Sequence, residues 1–455
     1  MKRFIALTLI ALLVLGGTSL TAVAESPFEG VEVILNKDGK AVDLGGMEII
    51  VGDWWTAAEQ PEPSTAQEEA TAEYREWIQS TYNFKIKRMA VTDWGTMPEF
   101  VTNFATTGGP ENYVFLTRPG TQAAPMNSGL FYDLATLNCL DFSKPKWNGA
   151  TKALMTKGGS IYGMRPETGE PRTGIFFNKR MLEEAGVDPE SLYDMQKDGT
   201  WTWEAFEALC KKISRDTNND GVTDVYALCS FGPHFLGATL ASNGACFVNV
   251  DEKGKYNNAT GSDAFLEAAN WGVEILKNYE FPQPEGSEWN YFEASFQNGA
   301  AAMQVHQDYY ASTLNSNMED DYGFVMFPKG PRMDTYVNVW EDNVSVIPAC
   351  YDADRAWKIA FAYDLFTNPT PGYDDTEDWK NGYYAKYRDT RAVDETVTMM
   401  REPAHAVTWY NSLITGYDLG PDFYWDVAAR AVTPAEKLES MKAQWQAYLD
   451  ATNGK

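Results

Sequence analysis

The chain has 455 residues, enough for about two to three domains' worth of core. Its hydrophobic and charged fractions, 44% and 22%, are those of an ordinary globular protein. A formal net charge of -27, with no basic block to relieve it, repels nucleic acid and anionic lipid, so those partners are set aside.

In chain order, MKRFIALTLIALLVLGGTSLTAVAES reads as a secretory signal over residues 1–24. Lys2 and Arg3 supply the basic start and Phe4 to Leu15 the apolar run. Ala22 and Ala24 suit cleavage before Glu25. The run is short for a bilayer span of about 20 residues. The leader holds no cysteine, so no lipid anchor is expected. MEIIVGDWW then predicts a buried strand, and the polar stretch from Glu59 a loop entering a helix. FKIKRMA is a second strand, MPEFVTNFATTGG a second helix with a glycine stop, and NYVFL a third strand. Strands alternating with helices predict a parallel α/β sheet.

The pattern recurs. TGIFFN is a strand and KRMLEEAG a short helix. TWEAFEALCKKI places Phe206, Leu209, Cys210 and Ile213 on one helical face, with Thr202 as N-cap. AFLEAANWGVEILKNY puts Phe265, Ala269, Val273 and Leu276 on one stripe. AAMQVH, YGFVMFP and NVSVIP are strands. DRAWKIAFAYDLF is a helix with Trp357, Ala360, Phe361 and Leu365 inward, and the tail from Pro421 is helical. Two α/β halves follow, with ligands expected at strand carboxyl ends in the cleft between them.

The five cysteines are an odd number, which excludes a fully paired framework. Cys210 belongs to the core, and pairing of Cys229 with Cys246 stays open. There is no CxxC or Cys/His cluster for zinc, and no GxSxG, HExxH or Walker motif. The three histidines, His234, His306 and His405, are far apart, and an enzyme is not expected.

GGSIYGMRPE, GIFFNKRMLEEAGVD, TWTWEAFEALCKKI, DTNNDGVTDVYAL, FQNGAAAMQVH and AWKIAFAYDLF occur in an order that resembles family 1 extracellular solute-binding proteins, the sugar receptors of ABC importers. The resemblance runs from about Met47 to about Leu449 and weakens after Asn368. It implies a two-lobed periplasmic-binding-protein fold of type II with discontinuous lobes. Residues 47–152 with 308–366 would form lobe one, and residues 157–307 with 368–455 lobe two. It implies capture of a sugar or oligosaccharide by lobe closure and delivery to the transmembrane subunits of an ABC permease. The protein would be a monomer, secreted, in a periplasm or at the outer face of the membrane. The rival cargoes are a peptide or a polyamine; the rival functions are a glycan-active enzyme and a calcium-held scaffold.

A sugar site needs aromatic platforms beside polar groups. Trp54 and Trp55 follow the first strand, where alternation sends one ring to the cleft and one to the core. Arg118 follows NYVFL at the same rim. The resemblance places Tyr309, beside Asp308 and His306, at a sugar-stacking position, with a structural hydrogen bond expected of His306. Trp340, with Glu341 or Asp342 as acceptor, falls at another crossing. Lobe two would add Arg165, Phe231, His234 and Trp425. For each, ordinary packing or a surface ion pair is the competing role.

In DTNNDGVTDVYAL, Asp216, Asn218, Asp220, the Val222 carbonyl and Asp224 have calcium-loop spacing around Gly221. Ala227 replaces the bidentate glutamate, and a strand follows instead of a helix, so this is no EF-hand. A structural Ca2+ and a metal-free Asx-turn network are the two readings.

Overall fold

The computed structural model describes residues 26–60, 62–166, 173–339, 343–375 and 377–454. The expected leader, Trp340, Glu341 and Asp342 lie outside them.

The first unit is built by β1 (Met47–Asp53), α1 (Ala66–Thr81), β2 (Phe84–Ala90), α2 (Met97–Thr107) and β3 (Asn112–Thr117). The second holds β4 (Thr173–Asn178), α3 (Trp203–Ile213), β5 (Tyr226–Leu228), α4 (Gly232–Ser242), α5 (Asp263–Tyr279), β6 (Ala301–Gln307) and β7 (Tyr322–Met326). The first unit is then completed by β8 (Val344–Val346) and α6 (Ala353–Phe366), and the chain ends in the second on α7 (Pro434–Thr452).

These elements follow their local chemistry. Thr65 accepts the Glu68 N–H while the Glu68 carboxylate accepts the Thr65 N–H, a reciprocal cap that starts α1. Thr202 caps α3, and its apolar face is buried as the spacing requires. Burying one such phenylalanine contributes roughly 2–3 kcal/mol. On α5, Phe265, Ala269 and Leu276 are buried and Val273 is half-buried. On α6, Ala360, Phe361 and Leu365 are buried, whereas Trp357 is half-buried. The helical tail is broken between Ala428 and Pro434.

The first sheet has the order β8-β3-β1-β2. β1 runs parallel to β2 and β3, and β8 is antiparallel to β3. The second sheet has the order β7-β4-β6-β5 and is mixed. β4 is antiparallel to both of its neighbours, and only β6 and β5 pair in parallel. The repeated strand-helix pattern suggested a second parallel sheet.

Two large cores accompany the sheets, and the chain passes between them repeatedly. Met155, Ile161 and Met164 still pack with the first unit, and Ile175 opens the second core. The expected lobe boundary at residues 152–157 thus comes too early, and Arg165, read as part of lobe two, follows a residue held by Ser345 of the first unit. The boundary expected at residue 308 is also displaced. Tyr310, Leu314 and Phe324 join the second core, because β7 completes the sheet on β4. The return falls between Val339 and Val344. The last departure follows Phe366, which still packs in the first core. There Lys146 Nζ donates to Asn368 Oδ1 at 2.7 Å and pairs with the buried Asp364 at 2.8 Å, anchoring the exit of α6. The units also touch directly: Leu413 of the tail is buried among Met126, Phe131 and Met155 of the first.

Candidate functional site

The parallel strands of the first sheet end together, so the residues after Asp53, Ala90 and Thr117 form one rim. Asp53 is fully buried. Its carboxylate accepts the Trp55 N–H at 3.0 Å, the Thr56 N–H at 2.9 Å and the Thr56 hydroxyl at 2.5 Å. This turn leaves Trp54 half-buried against two apolar clusters and Trp55 exposed, and because it is a bend and not extended strand the two side chains do not point to opposite faces. Their rings meet edge-on at 4.7 Å. Trp94 follows β2, and the Arg118 guanidinium lies 3.7 Å over its ring. Burial lowers the Arg118 pKa and Asp418 of the tail opposes that shift. The Arg118 Nε–H is buried without a hydrogen-bond partner among the described residues.

The second rim forms where β5 and β6 end. Here the rings are contiguous. Phe231 lies 5.0 Å from His234, His234 lies 5.6 Å from His306, and His306 lies 5.6 Å from Tyr309. His306 is buried; its Nδ1 accepts the Gln307 N–H at 2.8 Å and its ring stacks on Tyr310 at 4.1 Å. It has the structural hydrogen bond expected of it, and its ring meets Tyr309 edge-on. Asp308 is buried, and its carbonyl accepts the Tyr387 hydroxyl at 3.3 Å. That turn leaves Tyr309 projecting.

Beside Phe231 the second unit forms an open pocket of about 490 Å³. Its lining includes Phe231, Trp289, Tyr291, Trp425, Glu280 and Arg430. The cavity depends on a close approach: a Cβ on Gly232 would meet the Ala428 Cβ at 2.5 Å, so only glycine lets α4 begin against the Trp425–Ala428 helix. A π-helical turn, Gly420–Tyr424, delivers Trp425 to this wall. The Glu280 side chain is 13% exposed and faces Arg430 at 3.6 Å. Burial pushes its carboxyl up to about 7, and Arg430 opposes the shift.

The structure therefore brings Trp54, Trp55 and Arg118 to one rim and Phe231, His234, Asp308 and Tyr309 to the other, with Trp425 in the adjoining cavity. Arg165 belongs to the first unit, where its carbonyl accepts the Asn148 N–H. Trp340 and Glu341 lie outside the described residues. Sequence reading passed over Trp94, Trp289, Glu280 and Arg430. Trp94 follows a strand end just as Trp54 and Arg118 do, and the same rule would have found it. Large side chains normally bury their apolar surface. Yet Trp55, Trp94, Trp289, Tyr309 and Trp425 are 49%, 59%, 68%, 53% and 57% exposed, all at these rims or the cavity.

The acidic loop is separate. Asp216 accepts the N–H groups of Asn219 and Gly221, both at 2.7 Å. Asn218 accepts from Asp220, and Asp220 from Val222, both at 2.8 Å. Asp224 accepts the Thr217 N–H and hydroxyl. Gly221 takes the left-handed conformation, with φ of 88°, that the sharp turn requires. In this arrangement the oxygens serve the loop's own N–H groups. Among the described residues no group of three or more His, Cys, Asp or Glu is gathered to hold a metal ion. All five cysteines are free thiols, so Cys229 and Cys246 are unpaired.

The profile of the bacterial extracellular solute-binding protein family matches residues 57–362. The chain belongs to that family. It is a solute-binding protein and not an enzyme. Its fold resembles the cyclic alpha-maltosyl-1,6-maltose binding protein from Arthrobacter globiformis at 14% identity and a TM-score of 0.63, covering 90% of this chain and 100% of that one. It resembles the GacH receptor of Streptomyces glaucescens at 16% identity and a TM-score of 0.58, covering 89% and 99%. It also resembles the maltose-maltodextrin binding protein of Alicyclobacillus acidocaldarius at 12% identity and a TM-score of 0.58, covering 88% and 100%. At these identities the likeness shows the fold, the two-domain type II architecture of periplasmic binding proteins. No curated protein matches the chain at significant similarity. Among the described residues no helix is long and apolar enough to cross a membrane.

Proposed function

We propose that this solute-binding protein captures a carbohydrate between its two aromatic rims and delivers it to the transmembrane subunits of an ABC permease. The observation that carries the reading is the gathering of exposed aromatic rings at the carboxyl edges of both sheets. Flat rings match the C–H faces of pyranoses, and Arg118 and Asp308 stand among them as donor and acceptor. Fold relatives named for maltose, maltodextrin and cyclic maltosyl-maltose support the same cargo class. A bound sugar favours the closed form only through contacts made in that form. A micromolar receptor needs about -8 kcal/mol, within reach of a few stacks and several hydrogen bonds. The leader would send the chain out of the cytoplasm, where it acts as a monomer.

Thermal-shift screening of neutral, acidic and amino sugars against polyamines and peptides tests this. Stabilisation by sugars is expected; stabilisation by polyamines or peptides alone would overturn it. Calcium in the 216–224 loop is a separate proposal, resting on three carboxylates and an amide spaced around Gly221. An ion there would have to draw those side chains from their N–H partners. A melting temperature that falls on adding chelator is expected, and one that does not move removes calcium from the account.

A further inference from the structure

A second open pocket, of about 440 Å³, forms where segments of both units meet, and it shares no lining residue with either rim. Its size falls in the roughly 300–1,000 Å³ range of small-ligand sites. Lys157 comes from the first unit, and Lys253 and Lys255 from a hairpin of the second whose strands are Val248–Val250 and Tyr256–Asn258. Among the described residues no Asp or Glu lines the pocket. This is a local reversal in a chain with 64 Asp and Glu against 37 Lys and Arg. Lys146, Lys179 and Lys437 are each paired with carboxylates, whereas among the described residues these three lysines are not. Asp251 precedes the hairpin turn, but its carboxylate accepts the N–H groups of Lys253 and Lys255, both at 2.9 Å, and so serves the backbone. Glu252 is exposed and stands outside the lining. The walls are held in place. Lys157 Nζ donates to Asn127 Oδ1 at 2.8 Å. Asn453, just past α7, grips the hairpin: its Oδ1 accepts the Tyr256 N–H at 2.9 Å and its Nδ2 donates to the Tyr256 carbonyl at 2.8 Å. Apolar side chains also line the pocket, with Met126 and Leu413 buried and Leu154 and Tyr256 half-buried. Ammonium groups beside apolar surface suit a small anion with an apolar body. A polyanion or an anionic membrane also meets the acidic surface around the pocket, whereas a small ion meets only its lining.

We propose that this pocket binds a small organic anion. Its phosphate or other oxyanion is held by Lys157, Lys253 and Lys255, and its apolar body lies against Met126, Leu154 and Tyr256. Because the lysines belong to different units, the bound anion ties the units together at residues that neither rim uses. The site does not depend on which cargo the rims take.

The test is calorimetric titration of the purified protein with phenyl phosphate, inorganic phosphate and phenol, with chloride holding the ionic strength constant. Phenyl phosphate should bind, inorganic phosphate about tenfold more weakly, and phenol not detectably. Lys157→Gln and Lys253→Gln should each weaken phenyl phosphate about threefold, and the triple variant Lys157→Gln, Lys253→Gln, Lys255→Gln by at least about tenfold. Lys157 and Lys253 are exposed, so their loss does not disturb a core. Lys442→Gln removes the same charge from an exposed position on α7 and should leave the affinity unchanged. No binding of phenyl phosphate, equal affinity in wild type and the triple variant, or an equal loss in Lys442→Gln overturns the site. A loss in Lys253→Gln with none in Lys157→Gln confines the site to one unit and overturns the tie between them. Sedimentation with phosphatidylglycerol vesicles that the triple variant abolishes would make the pocket a membrane contact and overturn the free anion.

Discussion

The two rims differ in how they hold their rings. On the first, Trp55 meets Trp54 edge-on after the Asp53 turn, and Trp94 is covered by Arg118. On the second, Phe231, His234, the buried His306 and Tyr309 pack against one another beside an open pocket. In the proposed carbohydrate receptor the second unit, which carries the pocket, would be the docking side and the first the closing side.

The largest expected effect tests the depth of the cavity. The Glu280 carboxyl is raised from 4.5 to about 7 by burial. The folded protein thus holds this proton more tightly than the unfolded chain does. Its stabilising contribution is full below 4.5, is lost as pH rises towards about 7, and is level beyond. The total loss is about 3 kcal/mol. Glu280→Gln should not suffer it, since Arg430 is half-exposed and can be solvated. The variant's melting temperature should gain on wild type across that window, followed in a pH series. Arg430, Lys277, Tyr291 and Cys229 are the titratable or charged groups around Glu280. A flat difference would mean a wet cavity, and the two sides would be more alike.

Next comes Asp53→Ala. It strips the acceptor from two N–H groups and one hydroxyl, which costs about 2 kcal/mol and releases the Trp55 turn. Denaturant unfolding measures the first effect and sugar affinity the second. Stability equal to wild type would show that the turn is held by other contacts.

For the rings themselves, Tyr309→Ala should weaken sugar binding about tenfold, and Trp55→Ala should weaken it less. Equal losses in side-by-side titrations would break the asymmetry. The smallest effect is that of Arg118→Lys. An ammonium replaces a planar group on Trp94, and affinity should drop about threefold with a change in tryptophan emission. An unchanged affinity would remove Arg118 from the ligand.

Much of the fold was legible because its signals are local. TGIFFN and FKIKRMA are strands over their quoted lengths, and α3 buries the four residues that its period selected. Trp54, Trp55 and Arg118 were selected by one rule, that residues after a parallel strand stand at the ligand edge, whereas Tyr309 and Phe231 were selected by the resemblance to the family. The same rule applied to β2 points to Trp94. No such rule reaches Trp289 or Glu280. They leave α5 in an irregular segment, and Trp425 and Arg430 meet them from far along the chain through the packing of α4 at Gly232.

By itself the sequence determined the α/β class, the positions of most elements, the strand-end aromatics and the sharp acidic turn. Each depends on side-chain periodicity, capping or turn chemistry within a few residues. Only the tertiary structure decided where the chain changes units, that the second sheet is mixed, that the acidic loop's oxygens turn onto its own backbone, and that four separate segments line one open pocket. Those depend on which strand lies beside which and on how closely two helices approach, and neither is encoded in any short stretch of the chain.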